Sequence, residues 1–95
     1  MSAYVVAEVE VKDRAAYESY LPIAAEALKI YGGKFIARGG VAEALEGEPA
    51  KPRVVIIEFA SAEQARRWHS SPEYAPGLKM RQAAADARLL LVDGL

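Results

Sequence analysis

The run R-V-V-I-I-E-F-A-S-A-E-Q-A-R-R-W-H-S-S-P-E-Y, Arg53 to Tyr74, reads as a strand delivered into a capped helix. Val54, Val55, Ile56 and Ile57 show no polar face until Glu58, which predicts a strand covered on both sides and central in a sheet. Ser61 ends that strand and caps the helix, Gln64 stands at the capping-box position, and Ala65 and Trp68 take the first inward spacing. Ser71-Pro72 restarts a helix, Ser as N-cap and Pro at the first position, so the second helix is broken. Tyr74, Leu78, Ala84 and Ala85 continue its inward side to Asp86, and Ala87 to Asp93 form the last strand.

Upstream, Ala3 to Val11 is a first strand, with Val5, Ala7, Val9 and Val11 on one face and Tyr4, Val6, Glu8 and Glu10 on the other. Asp13 caps a helix whose stripe is Tyr17, Tyr20, Leu21, Ala24, Leu28 and Tyr31, ending at Gly32-Gly33. Pro22 removes one backbone donor and predicts a kink or tightened turn near Ser19 within one helix. Lys34 to Arg38 begins the next strand, Gly39-Gly40 is the natural bulge, and Val41, Glu43 and Leu45 resume the alternation. Gly47 to Pro52 turns the chain back.

The order is βαββαβ. Two strand-helix-strand units in so short a chain are most simply met by an α+β, ferredoxin-like domain spanning residues 1–95. Its sheet is four-stranded and antiparallel, with the first and third strands central and the helices on one face. The other face carries Tyr4, Val6, Ile36, Val54, Ile56, Leu90 and Val92, on the order of 300 to 400 Å² that helices cannot reach. A homodimer pairing sheet against sheet is the economical cover.

The composition narrows the function classes. With 95 residues and 53% hydrophobic content, the chain suits one compact domain without staples. The absence of cysteine removes disulfide and thiolate chemistry and suits a reducing cytoplasm. Lys plus Arg (12) and Asp plus Glu (13) are scattered and nearly cancel, so a nucleic-acid partner is not expected, and no apolar run approaches the roughly 20 residues that cross a bilayer, so neither is a membrane. No phosphate-binding loop, nucleophile elbow or metal-ligand spacing occurs, and neither cofactor nor metal is expected.

Alternation also assigns Glu8, Arg38, Glu58 and Arg88 to the face away from the helices. Glu58 neighbours the strand of Arg38, and Glu8 that of Arg88, so ion pairs across strands are available. One reading is charge neutralisation in a dimer interface. In the other, Arg38 and Glu58 form a ligand site for an anion or carbonyl, with Tyr74 at its margin and Glu58 or Glu8 as proton carrier. Arg38 stands immediately before the Gly39-Gly40 bulge, which can re-aim its guanidinium at a carboxylate. His69, the single histidine, is the other general-base candidate. Trp68 reads as core, and the tyrosines at helical spacing read as core or cavity lining.

Tyr17 and Tyr20, G-G-K-F-I-A-R-G-G, L-E-G at Leu45 to Gly47, V-V-I-I-E-F-A-S-A-E-Q-A-R-R-W, S-P-E-Y and Arg81 occur in order along nearly the whole chain. Together they resemble domain-of-unknown-function family thirteen-thirty, within the dimeric α/β-barrel superfamily. The resemblance implies a ferredoxin-like protomer that pairs face to face into a barrel. It brings no established substrate, cofactor or catalytic set. By likeness to other members of the superfamily, chemistry here would be cofactor-independent proton transfer or oxygenation of a small polar or carboxylated metabolite. The alternative is a non-catalytic module whose charged face only specifies the dimer.

Overall fold

The computed structural model describes residues 2–95. Its elements are β1 (Ala3–Val11), α1 (Arg14–Ile30), β2 (Lys34–Gly40), β3 (Arg53–Phe59), α2 (Ala62–His69), α3 (Ala75–Ala84) and β4 (Ala85–Asp93). The strands form one antiparallel sheet in the order β2-β3-β1-β4, the ferredoxin-like arrangement. Asp13 accepts the Ala16 N–H at 3.1 Å and starts α1, which runs unbroken through Pro22. Ser61 Oγ accepts the Gln64 N–H at 3.1 Å and starts α2. Gln64 does not return the bond as a full capping box would; its Nε2 donates to the Tyr31 carbonyl at 3.0 Å and ties α2 to the end of α1.

The core lies between the helices and the face bearing Val5, Ala7, Val9, Val55, Ile57 and Phe59. Tyr17, Tyr20, Ala24 and Leu28 come down from α1, Trp68 from α2, and Tyr74 from the turn before α3. That turn is held by Ser71, whose hydroxyl donates to the Trp68 carbonyl at 2.8 Å and accepts the Tyr74 N–H at 3.1 Å. α3 approaches α1 closely at Gly77, where a Cβ would stand 3.0 Å from the Ile23 side chain.

Several expectations are corrected. β3 is central, but within the chain it is covered on one face only: Val55, Ile57 and Phe59 are buried while Val54, Ile56 and Glu58 are half-buried. β2 does not resume after its bulge. Val41 and Leu45 are 104% and 87% exposed, because the ladder ends at the Gly40–Val54 pair and Pro52 just beyond has no N–H to extend it. β4 begins at Ala85 rather than Ala87, since β1 is long enough to pair Val11 with it. The inward side of α3 uses Gly77 and Arg81, with Leu78 half-buried, and Leu21 on α1 is 37% exposed.

Candidate functional site

The site is shaped by an irregularity in β2. A register shift between Phe35 and Ala37 leaves Ile36 out of the ladder, so Phe35 opposes Ile57 and Arg38 opposes Val55. Residues three apart on a regular strand face opposite ways, but here both share the helix-covered face with their partners. Arg38 is therefore not on the free face with Glu58, as plain alternation implies. Its Cζ lies 4.6 Å from the centroid of the Phe35 ring, and the exposed guanidinium stands at the mouth of a cavity between sheet and helices.

That cavity has a volume of about 360 Å³, within the range of small-molecule sites. Val55 and Ile57 line it from β3, Tyr17 and Tyr20 from α1, and Trp68 and Tyr74 from the broken helix. Among the described residues, three arginines, Arg38, Arg53 and Arg81, reach it, and no Asp, Glu or His does. Among the described residues, no ion pair joins any of the three to a carboxylate. Positive charge in a partly enclosed apolar cavity, uncompensated by the protein, favours an anion.

Each arginine is held differently. Arg53 opens β3 in register with Val9 on the helix side, and its Cζ lies 5.6 Å from the Tyr17 ring centroid. Its guanidinium occupies the space over Gly39, where a Cβ would come within 2.6 Å of Nη1. Gly39 also has a φ of 71°, so the second bulge requires glycine for both backbone and neighbour. Arg53 Nε is buried without an acceptor among the described residues, as is Trp68 Nε1. Arg81 is only 7% exposed; its Nε donates to the Tyr74 hydroxyl at 3.4 Å, which shares a 2.7 Å hydrogen bond with Tyr20. Burial, and then the neighbouring Tyr74, push the Tyr20 phenol well above its usual range, so it stays protonated as a hydrogen-bonding group.

Of the residues singled out from sequence, Arg38 and Tyr74 line this cavity together. Glu58 lies on the opposite face, across from Tyr4 and Lys34, and accepts from the Tyr4 hydroxyl at 3.4 Å. Glu8 faces Arg88 across the β1–β4 ladder but takes its hydrogen bond from the Lys51 N–H at 3.2 Å. His69 is exposed and borders a separate depression with Ala65, Leu89 and Leu90. Partial desolvation of its ring, which lies 6.0 Å from that of Trp68 and 6.1 Å from that of Tyr74, and secondarily the charge of Arg81, hold its imidazole below the usual histidine range. Among the described residues, no three of His, Cys, Asp and Glu converge as metal ligands would.

Arg53 and Arg81 were not singled out as cavity residues from sequence. Each carried a signal: Arg53 shares the two-residue period of Val55 and Ile57, and Arg81 lies seven after Tyr74 on one helical stripe.

Among solved structures, a protein of unknown function from Rhodopseudomonas palustris superposes with a TM-score of 0.80 at 24% identity, covering 99% of this chain and 82% of that one. SnoaB, a cofactor-independent oxygenase from Streptomyces nogalater, gives 0.71 at 17% identity, over 99% and 93% of the two chains. A dimeric protein of unknown function and ferredoxin-like fold from Bacteroides fragilis gives 0.56 at 11% identity, over 98% and 96%. At these identities the likeness establishes the fold. Comparison with curated proteins gave no match. The model of the family described as Domain of unknown function (DUF1330) matches residues 2–95, and the chain belongs to that family.

Proposed function

We propose that the protein is a cytoplasmic homodimer that binds a small organic acid in the cavity between sheet and helices of each protomer. The observation that carries this reading is a cavity reached, among the described residues, by three arginines and lined by no carboxylate. Dimerisation through the free sheet face is supported by its apolar surface: Tyr4, Val6, Val54 and Ile56 are half-buried, and Leu90 and Val92 are 41% and 48% exposed. A structural neighbour described as dimeric adds to that support.

Chemistry in this cavity would be cofactor-independent oxygenation of a substrate that enters as its own anion. With no Asp, Glu or His among the described residues of the wall, the protein supplies no ordinary base. The guanidinium groups instead favour the ionised form of an acid that also carries an enol or phenol, and the electron-rich carbon of that enolate or phenolate would add oxygen and take a proton from solvent to give a hydroperoxide. Likeness of fold to a cofactor-independent oxygenase supports this class of reaction. The same lack of a base favours the second reading, a binding module that releases its ligand unchanged.

Native mass spectrometry of the purified protein identifies a co-purified acid, and calorimetry with that acid, or with a panel of carboxylates, measures its affinity. Arg38→Lys should weaken binding about tenfold, because an ammonium cannot reproduce the planar fork, while leaving the dimer intact. Oxygen uptake matching loss of the acid, with no added metal or flavin, identifies an enzyme. Recovery of the acid unchanged identifies the binding module. Absence of saturable binding by any acid refutes the proposal.

A further inference from the structure

Two of the three arginines stand together at the mouth of the cavity. Arg38 opposes Val55 across the β2–β3 ladder, and Arg53 lies two residues before Val55 on the same face of β3. Such diagonal neighbours have Cα atoms about 7–8 Å apart, within reach of long side chains. The Arg53 guanidinium leans toward β2: its Nη1 lies 2.6 Å from where a Cβ on Gly39, the residue after Arg38, would stand. Each guanidinium is steadied by a ring, Arg38 at 4.6 Å from the Phe35 centroid and Arg53 at 5.6 Å from that of Tyr17. Both border this cavity, whereas the depressions beside His69 and Asp86 are bordered by other residues. Arg38 is exposed and Arg53 half-buried. Among the described residues, Arg53 Nε and Trp68 Nε1 are the donors both sealed in and unpartnered, so the Nη groups of Arg53 keep contact with solvent. Two like charges this close repel each other, and among the described residues no carboxylate pairs with either.

We infer, resting on the reading that the cavity takes an organic acid, that the acid carries two carboxylates on adjacent carbons, one for each of Arg38 and Arg53. Its apolar body points inward along Val55 and Tyr17, which line the cavity beside the pair. A planar guanidinium fork binds a carboxylate through parallel N–H donors, so two neighbouring forks match two neighbouring carboxylates. A monocarboxylate neutralises one cation and leaves the other facing it. A diacid with distant carboxylates cannot bring both to the mouth while its body fills the cavity. Specificity therefore lies in the second carboxylate, and Arg53 is a specificity-determining residue alongside Arg38.

The probes are 4-ethylphthalate, 4-ethylbenzoate and 5-ethylisophthalate, all fully ionised at neutral pH. The first two differ only by a carboxylate beside the other, and the third keeps both charges but separates them by one more ring carbon. Calorimetry on the wild-type protein should show 4-ethylphthalate binding about tenfold or more tightly than either of the others. Arg38→Gln and Arg53→Gln should each bring 4-ethylphthalate to within about threefold of 4-ethylbenzoate. The affinity for 4-ethylbenzoate should itself fall by less than about threefold in each, because one arginine still holds it. The double variant should weaken 4-ethylbenzoate about tenfold. Equal wild-type affinities for the phthalate and the benzoate, or an isophthalate that binds as tightly as the phthalate, overturns the dicarboxylate inference and leaves acid binding standing. A preference that survives either single substitution does the same, and the wild-type comparison decides even where a variant fails to fold. Failure of all three probes, and of every other carboxylate, to bind overturns both.

Discussion

Trp68 offers a stability test in which two terms of opposite sign can be separated. Its ring is 2% exposed, packs 5.5 Å from Phe59 and 4.5 Å from Tyr74, and has an indole N–H with no acceptor. A buried tryptophan removes about 150–250 Å² from water, worth about 4–6 kcal/mol at about 25 cal/mol per Å². Residual compactness of the unfolded chain lowers this by roughly 10–40%. Trp68→Ala should therefore cost about 3–5 kcal/mol, the range found for truncating large aromatics. Trp68→Phe gives up about 1–2 kcal/mol of burial but removes a donor whose missing acceptor costs about 1–3 kcal/mol. It should fall within about 1 kcal/mol of wild type.

Urea denaturation followed by circular dichroism measures both variants without relying on the tryptophan they lack. Protomer concentration is held constant, since association would add to apparent stability. A loss under about 1 kcal/mol for Trp68→Ala would remove Trp68 from the core. A Trp68→Phe variant as unstable as Trp68→Ala would show that the indole N–H is satisfied and that ring shape, not area, governs the site.

Two further outcomes follow from the free sheet face and from His69. Ile56→Asp places a charge opposite Val6 and Ala37 on the uncovered face. It should convert the proposed dimer to monomer or aggregate in light scattering, at a cost of several kcal/mol; a well-folded dimer would refute sheet-face pairing. His69 has its folded-state pKa depressed by partial desolvation and by Arg81. As pH falls through about 6.5, the unfolded chain takes up a proton that folded His69 resists, so stability falls until His69 itself is protonated. Thermal melts from pH 7.5 to 5.5 should show this decline in the wild type and a shallower one in His69→Asn. An equal decline in both would show that His69 does not contribute.

Local signals in the sequence were sufficient for the elements and their order. Asp13 and Ser61 cap helices because a short acceptor reaches the orphaned N–H three residues on, a geometry that needs no distant partner. The apolar run after Arg53 likewise reads as a central strand, and the βαββαβ order puts β1 beside it at the centre of the sheet. The failures share one cause. Which way Arg38 points depends on a register shift at Ile36, a property of the β2–β3 ladder that leaves no glycine to mark it. A shift of one residue reverses every later side chain on that strand. It separated Arg38 from Glu58 and carried it to the helix side. Arg53 over Gly39, and Arg81 bonded to Tyr74, are contacts across 14 and 7 residues, selected by how closely β2, β3 and the helices approach. The sequence determined which segments would be strands and helices, because those preferences are short-range. Which charges would meet in one cavity was decided by the tertiary structure, because pairing register is set between strands and not within them.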